Sequence, residues 1–140
     1  MRHISFSLAF IVFLPMLAKG TETHTSIFRC ETENKKIIEV YKVKNMVTYS
    51  FGRDGRPPEL NLTTSITDVD ISIGEISGNE LSNSIAFSNG DYTYVVKSTV
   101  NRVTEIQEPK HGVLVKKKSK YMTYIACIPG SDQGSLLDLE

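Results

Sequence analysis

Met46-Val47-Thr48-Tyr49-Ser50-Phe51 puts Val47, Tyr49 and Phe51 on one face of an extended segment, the period of two that marks a strand with one buried side. It runs straight into Gly52-Arg53-Asp54-Gly55-Arg56-Pro57-Pro58. There Asp-Gly supplies hairpin-turn chemistry, and the prolines cannot donate to a ladder. Leu60 and Leu62 then resume the alternation within Glu59 to Thr63. Strand, turn and strand in so short a span fix the vocabulary of the whole chain.

Outward from this unit the same period recurs. Ile27 to Cys30 and Ile37 to Tyr41 precede it. Val69, Ile71 and Ile73 follow, alternating with Asp68, Asp70 and Ser72 before Gly74, where a bend is expected. Leu81 to Phe87, the Asn89-Gly90 step and Tyr92 to Lys97 read as a hairpin, with aromatic and β-branched residues crowded into its second arm. Gly112 to Lys116 and Tyr121 to Cys127 form another around the turn Lys116-Lys117-Lys118-Ser119-Lys120. Ser98 to His111 reads as a long polar loop with Val103 and Ile106 as its aliphatic points, and long loops are where function concentrates. No stretch carries a 3.6-residue stripe. The fold class expected is all-β, a single small antiparallel β-barrel or sandwich of about eight strands.

The first 20 residues break the pattern. Arg2 and His3 precede a charge-free run from Ile4 to Ala18, and Ala18-Lys19-Gly20 places small residues at positions −3 and −1 of a cut before Thr21. This reads as a signal peptide over 1–20, too short and too interrupted by Pro15 to be a membrane span. The expected organisation is thus a signal over 1–20, one β domain over 21–128 and a flexible C-terminal tail over 129–140. Export to the periplasm, or alternatively secretion, permits a disulfide. The chain has two cysteines, Cys30 and Cys127, near the two ends of the domain, and a bond between them closes the terminal strands. A zinc site is disfavoured because no CxxC or HxxxH spacing is present.

Composition excludes more than it proposes. The chain has 140 residues, 16 Lys+Arg against 16 Asp+Glu, and no tryptophan. One domain of this neutral balance gives no footing to a nucleic-acid partner. Motifs for nucleophilic, phosphoryl-transfer, zinc-protease, dinucleotide and calcium chemistry are missing, so no cofactor, no metal and no catalytic residue is expected.

Charge is nonetheless segregated along the chain. Glu59, Asp68, Asp70, Glu75, Glu80 and Asp91 lie between Pro57 and Val96 without a single Lys or Arg, whereas Lys97, Arg102, Lys110, Lys116, Lys117, Lys118 and Lys120 face only Glu105 and Glu108 over the next stretch. An anionic face steers a cationic partner. Asp68, Asp70, Glu75, Glu80 and Asp91, with Tyr92 and Tyr94 on one strand face, are therefore the candidate partner-binding residues. Asp68 and Asp70 could alternatively act as paired carboxylates, and all of these charges could simply solvate strand faces and blunt sheet edges.

Phe28-Arg29-Cys30, the strand Lys35-Lys36-Ile37-Ile38-Glu39-Val40-Tyr41, Met46 to Gly52 and a cysteine in the last strand together resemble small exported bacterial β-proteins, among them periplasmic lysozyme inhibitors of the MliC type. The resemblance implies a non-enzymatic barrel that blocks an envelope-degrading enzyme. The inhibitory Ser-Gly-x-x-Tyr loop of that family is not found, so no inhibitory residue carries over. Size, export and missing motifs are similar also to periplasmic toxin-immunity proteins. The function expected is inhibition or neutralisation of an envelope-degrading enzyme or toxin; the alternative is a ligand-binding or structural envelope module.

Overall fold

A computed structural model describes residues 23–140; the expected signal sequence lies outside the described residues. Ten strands run in chain order among the described residues: β1 (Thr25–Glu31), β2 (Lys36–Val43), β3 (Met46–Arg53), β4 (Leu60–Ser65), β5 (Asp70–Ser77), β6 (Glu80–Asn89), β7 (Tyr92–Asn101), β8 (Lys110–Lys117), β9 (Lys120–Ala126) and β10 (Gln133–Gly134). They form two five-stranded antiparallel sheets, β10-β1-β2-β3-β4 and β5-β6-β7-β8-β9. Neighbours in each sheet are neighbours in sequence, except where β10 joins β1.

The two sheets share one core. Phe28, Ile38, Val40, Val47 and Tyr49 come from the first, and Ile85, Phe87, Val96 and Val113 from the second, all essentially inaccessible. Tyr49 bridges the gap, its ring centroid 5.8 Å from that of Phe87 and 5.8 Å from that of Tyr94. The alternation seen in Val47, Tyr49 and Phe51 is thus the inner face of a sandwich.

The sheets do not close into a barrel. Between β4 and β5 the backbone is spent on a turn: the Ile66 N–H donates to the Asn45 carbonyl at 2.8 Å, and those of Asp68 and Val69 donate to the Ser65 carbonyl at 3.0 and 3.1 Å. No ladder forms across that seam. Gly74, at φ +71°, marks the expected bend, where the β5–β6 register slips between Ser72 and Glu75. At the other seam the joint is covalent. Cys30 and Cys127 form the expected disulfide, with Cα atoms 5.8 Å apart. Thr32 pairs with Cys127 in a single antiparallel bridge, and the Ile128 N–H donates to the Glu31 carbonyl at 2.7 Å.

Two expectations about flexible segments are corrected. The long loop is shorter than Ser98 to His111, because β7 extends to Asn101 and β8 begins at Lys110. The segment 129–140 is not a loose tail. Ser131 ties it to β1, donating its hydroxyl to the Ile128 carbonyl at 2.7 Å and accepting the Glu31 N–H at 3.1 Å. Gln133 and Gly134 then pair with Arg29 and Phe28. A 3₁₀ turn, Leu136–Leu139, capped by the Ser135 hydroxyl, contacts both β1 and β6, and its Leu136 is only 1% exposed. The segment lacks an alternating pattern, yet Leu136 is buried where the turn meets β1 and β6.

Candidate protein-binding site

The turn between β4 and β5 is built around Ser65. Its carbonyl accepts two N–H groups, as described, and its hydroxyl accepts the Thr67 N–H at 3.4 Å and lies 2.9 Å from the Thr67 hydroxyl. Half-buried Val69 packs against the core, which turns its neighbours Asp68 and Asp70 outward. Both aspartates are exposed, and among the described residues neither has an ion-pair partner. They stand at a cleft of about 430 Å³ where the sheets part, with Leu62, Thr64, Phe87 and Thr93 among its walls.

The other candidate residues are dispersed. Glu75 lies further along the same edge strand, and its carboxylate accepts the Ser72 hydroxyl at 3.0 Å. Glu80 sits at the opposite end of the β5–β6 hairpin, where its charge adds to burial in pushing the Tyr124 phenol above the usual tyrosine range. Asp91 is in the β6–β7 turn beside the lysine turn, its carbonyl accepting the Lys118 N–H at 2.8 Å. Tyr92 and Tyr94 do share a face, but it is the inner one. Their centroids are 6.4 Å apart, and the Lys117 ammonium lies 5.5 Å from the Tyr92 centroid. Burial, and then the neighbouring Tyr94, raise the Tyr49 phenol well above its ordinary range.

The fold also assembles a cluster that has no sequence motif. Ser98 and His111 face each other across β7 and β8, with Oγ 2.7 Å from Nδ1. Asp132 Oδ2, from the tail, lies 3.4 Å from the buried Nε2, an ion-pair distance without hydrogen-bond geometry. Hydrolytic triads place the hydroxyl on Nε2 and the carboxylate on Nδ1; here the two are exchanged. The arrangement ties the tail to β8 beside Phe28, whose ring centroid is 5.3 Å from that of His111. A cavity of about 220 Å³ between Leu81, Val100, Pro109 and Leu136 adjoins it. Residues so far apart in sequence give no spacing to read. The β7–β8 register and the docked C-terminal segment together bring them into one place.

On the outer face of the first sheet, the loop after β3 folds back so that the Glu59 N–H donates to the Phe51 carbonyl at 2.8 Å. Arg29 holds it there, 3.2 Å from Asp54 and 3.6 Å from Glu39. That guanidinium is committed to its own chain. Among the described residues no three His, Cys, Asp or Glu side chains come together to hold a metal ion, and no helix is long and apolar enough to cross a membrane.

Compared with known proteins, neither a family model, a curated protein nor a solved structure matches this chain.

Proposed function

We propose that the chain is an exported, non-enzymatic binding protein that neutralises a cell-envelope-degrading enzyme or toxin in the periplasm, or alternatively outside the cell, by taking a cationic side chain of that enzyme into the Asp68–Asp70 cleft. One observation carries the reading: two exposed carboxylates without ion-pair partners among the described residues stand over a concave seam on a rigid frame. A lysine or arginine entering there gains attraction from both, and its aliphatic stem can lie along Leu62. The disulfide supports the compartment, since such bonds persist in oxidising surroundings. The exchanged order of the Ser98–His111–Asp132 cluster supports a structural clasp rather than an acyl-transfer site.

The cavity beneath Leu136 favours a second reading, in which the chain carries a small apolar ligand. The oxidised mature protein, immobilised and exposed to periplasmic and competitor-secreted proteins at low and high salt, separates the two. Capture of a cationic hydrolase, inhibited when bound and released by salt, supports the first. A co-purifying apolar ligand with no enzyme supports the second. Turnover of an ester or glycan by the protein alone, or labelling of Ser98 by a serine-reactive phosphonate, contradicts both.

A further inference from the structure

Three tightly held segments meet on the outer face of the first sheet. At the end of β3, residues 53–56 close a turn in which the Arg56 N–H donates to the Arg53 carbonyl at 3.3 Å, with Gly55 at φ +70°. That turn is pinned twice. The backbone returning from it passes so close over Gly52 that a Cβ there would come within 2.9 Å of the Glu59 nitrogen, and the Asp54 carboxylate is tied to Arg29. Before β2, the Lys35 N–H donates to the Thr32 carbonyl at 2.9 Å, and Lys35 takes φ +58°. From the other side comes segment 131–133, held to β1 by the Ser131 hydroxyl and by the pairing of Gln133 with Arg29.

Between them lies a cleft of about 420 Å³, within the roughly 300–1,000 Å³ of small-molecule sites. Its charges are unevenly satisfied. Arg29 is committed to Glu39 and Asp54. Lys35, Arg53 and Arg56 also line the cleft, and among the described residues they have no ion-pair partner; of its two lining carboxylates, Glu31 alone has none. The sheet sets the distance between these groups. Glu31 of β1 pairs with Ile37 of β2, and Ile37 pairs with Gly52 of β3, next to Arg53. The carboxylate side and the arginine side therefore stand two strand spacings apart, about 10 Å, with half-buried Ile37 as the floor between them.

We propose that this cleft binds a sugar carrying a phosphate monoester, its phosphate among Arg53, Arg56 and Lys35, its ring over Ile37 and its hydroxyls turned to Glu31 and Gln133. Guanidinium groups pair with phosphate oxygens in bidentate fashion, and two of them rooted three residues apart in one closed turn are held near each other. Rigid turns lower the ordering cost of binding. Glu31 decides the class of ligand: an inorganic anion filling the cleft would meet that carboxylate, whereas the polyol part of a sugar donates hydroxyls to it. Thr64, on the wall of the acidic cleft, pairs with Val47, and Lys36, next to Lys35, pairs with Arg53. The two clefts thus lie at opposite ends of β3, about 20 Å apart. Ligand binding here needs nothing from Asp68 and Asp70.

The test is calorimetric titration of the oxidised mature protein with glucose 6-phosphate, glucose and inorganic phosphate at low salt, beside flotation with phosphatidylcholine vesicles carrying phosphatidic acid. The sugar phosphate is expected to bind, more tightly than inorganic phosphate, and glucose not at all. Arg53→Gln/Arg56→Gln should weaken it at least about tenfold. Lys35→Asn, which keeps a residue suited to the positive φ, should weaken it in the same direction. Lys116→Gln/Lys120→Gln removes as much charge from the other sheet and should leave binding unchanged. Should the arginine variant melt below the wild type, shifts of the Ile37 and Gln133 amides on titrating the unaltered chain with glucose 6-phosphate read the same contact. No binding of the sugar phosphate, flotation with vesicles in its place, equal binding of inorganic phosphate, equal weakening by the two charge-removing double variants, or amide shifts confined to other parts of the molecule would each overturn the proposal.

Discussion

At the scale of the residue, Tyr49 shows how one side chain can be both core and titratable group. Its ring joins the sheets, and its phenol stays neutral far above the ordinary range because burial, and then Tyr94, oppose the phenolate. A folded-state pKa raised above the unfolded value gives stability that is complete below pH about 10 and is lost as pH rises beyond it. Thermal melting of the wild type should fall steeply above pH 10, and Tyr49→Phe should flatten that alkaline arm; equal slopes would show that other groups govern it. Tyr49 as core was legible in the sequence from its alternation with Val47 and Phe51. Tyr94 was legible only as a strand residue, because period two says which residues share a face but not which face is inside.

Elements were legible where the pattern was local. Val69, Ile71 and Ile73 announced β5, Gly74 its bend, and Asn89-Gly90 the β6–β7 turn, all from neighbouring residues. The lysine turn is a turn for a reason its composition hides: Lys118 and Ser119 adopt φ of +48° and +67°, the conformation of a tight two-residue hairpin. The end of the chain was illegible because its order is non-local. β10 exists only against β1, and Leu136 is buried only where the turn meets β1 and β6. Leu136→Ala should therefore cost about 2–5 kcal/mol, the range for truncating a buried leucine, measured by urea unfolding. A loss near zero would mean that the segment does not pack as described. The Ser98–His111–Asp132 cluster was unreadable for the same reason, since it needs both the β7–β8 pairing and the docked tail.

For the whole molecule, the segregation of charge in sequence becomes a segregation across one sheet. Asp68, Asp70 and Glu75 lie toward the β5 edge, and the lysine turn toward the β9 edge. Four strand spacings put these edges roughly 19 Å apart, beyond the 8–10 Å over which exposed charges act at physiological salt. The two poles are therefore separate surfaces, blurred where Asp91 meets Lys118 and where the Glu80 charge reaches Tyr124. What holds them in fixed relation is the sandwich and its disulfide, which spans 97 residues of sequence. In the chain-entropy account a loop of that length contributes about 4.7 kcal/mol before strain. Cys30→Ser should accordingly lower the melting temperature markedly under oxidising conditions while leaving the sheets' circular dichroism unchanged below the transition; an unchanged melting temperature would deny the bond its stabilising role.

The central claim is that the molecule acts by shape and field, through an anionic cleft at the seam between its sheets. It is tested most directly by the association rate of wild type and Asp68→Lys/Asp70→Lys with the cationic hydrolase captured at low salt, both proteins first shown to melt alike. The account predicts association slowed at least about tenfold by the reversal, with inhibition lost in step. Equal rates and equal inhibition for the two proteins would contradict it.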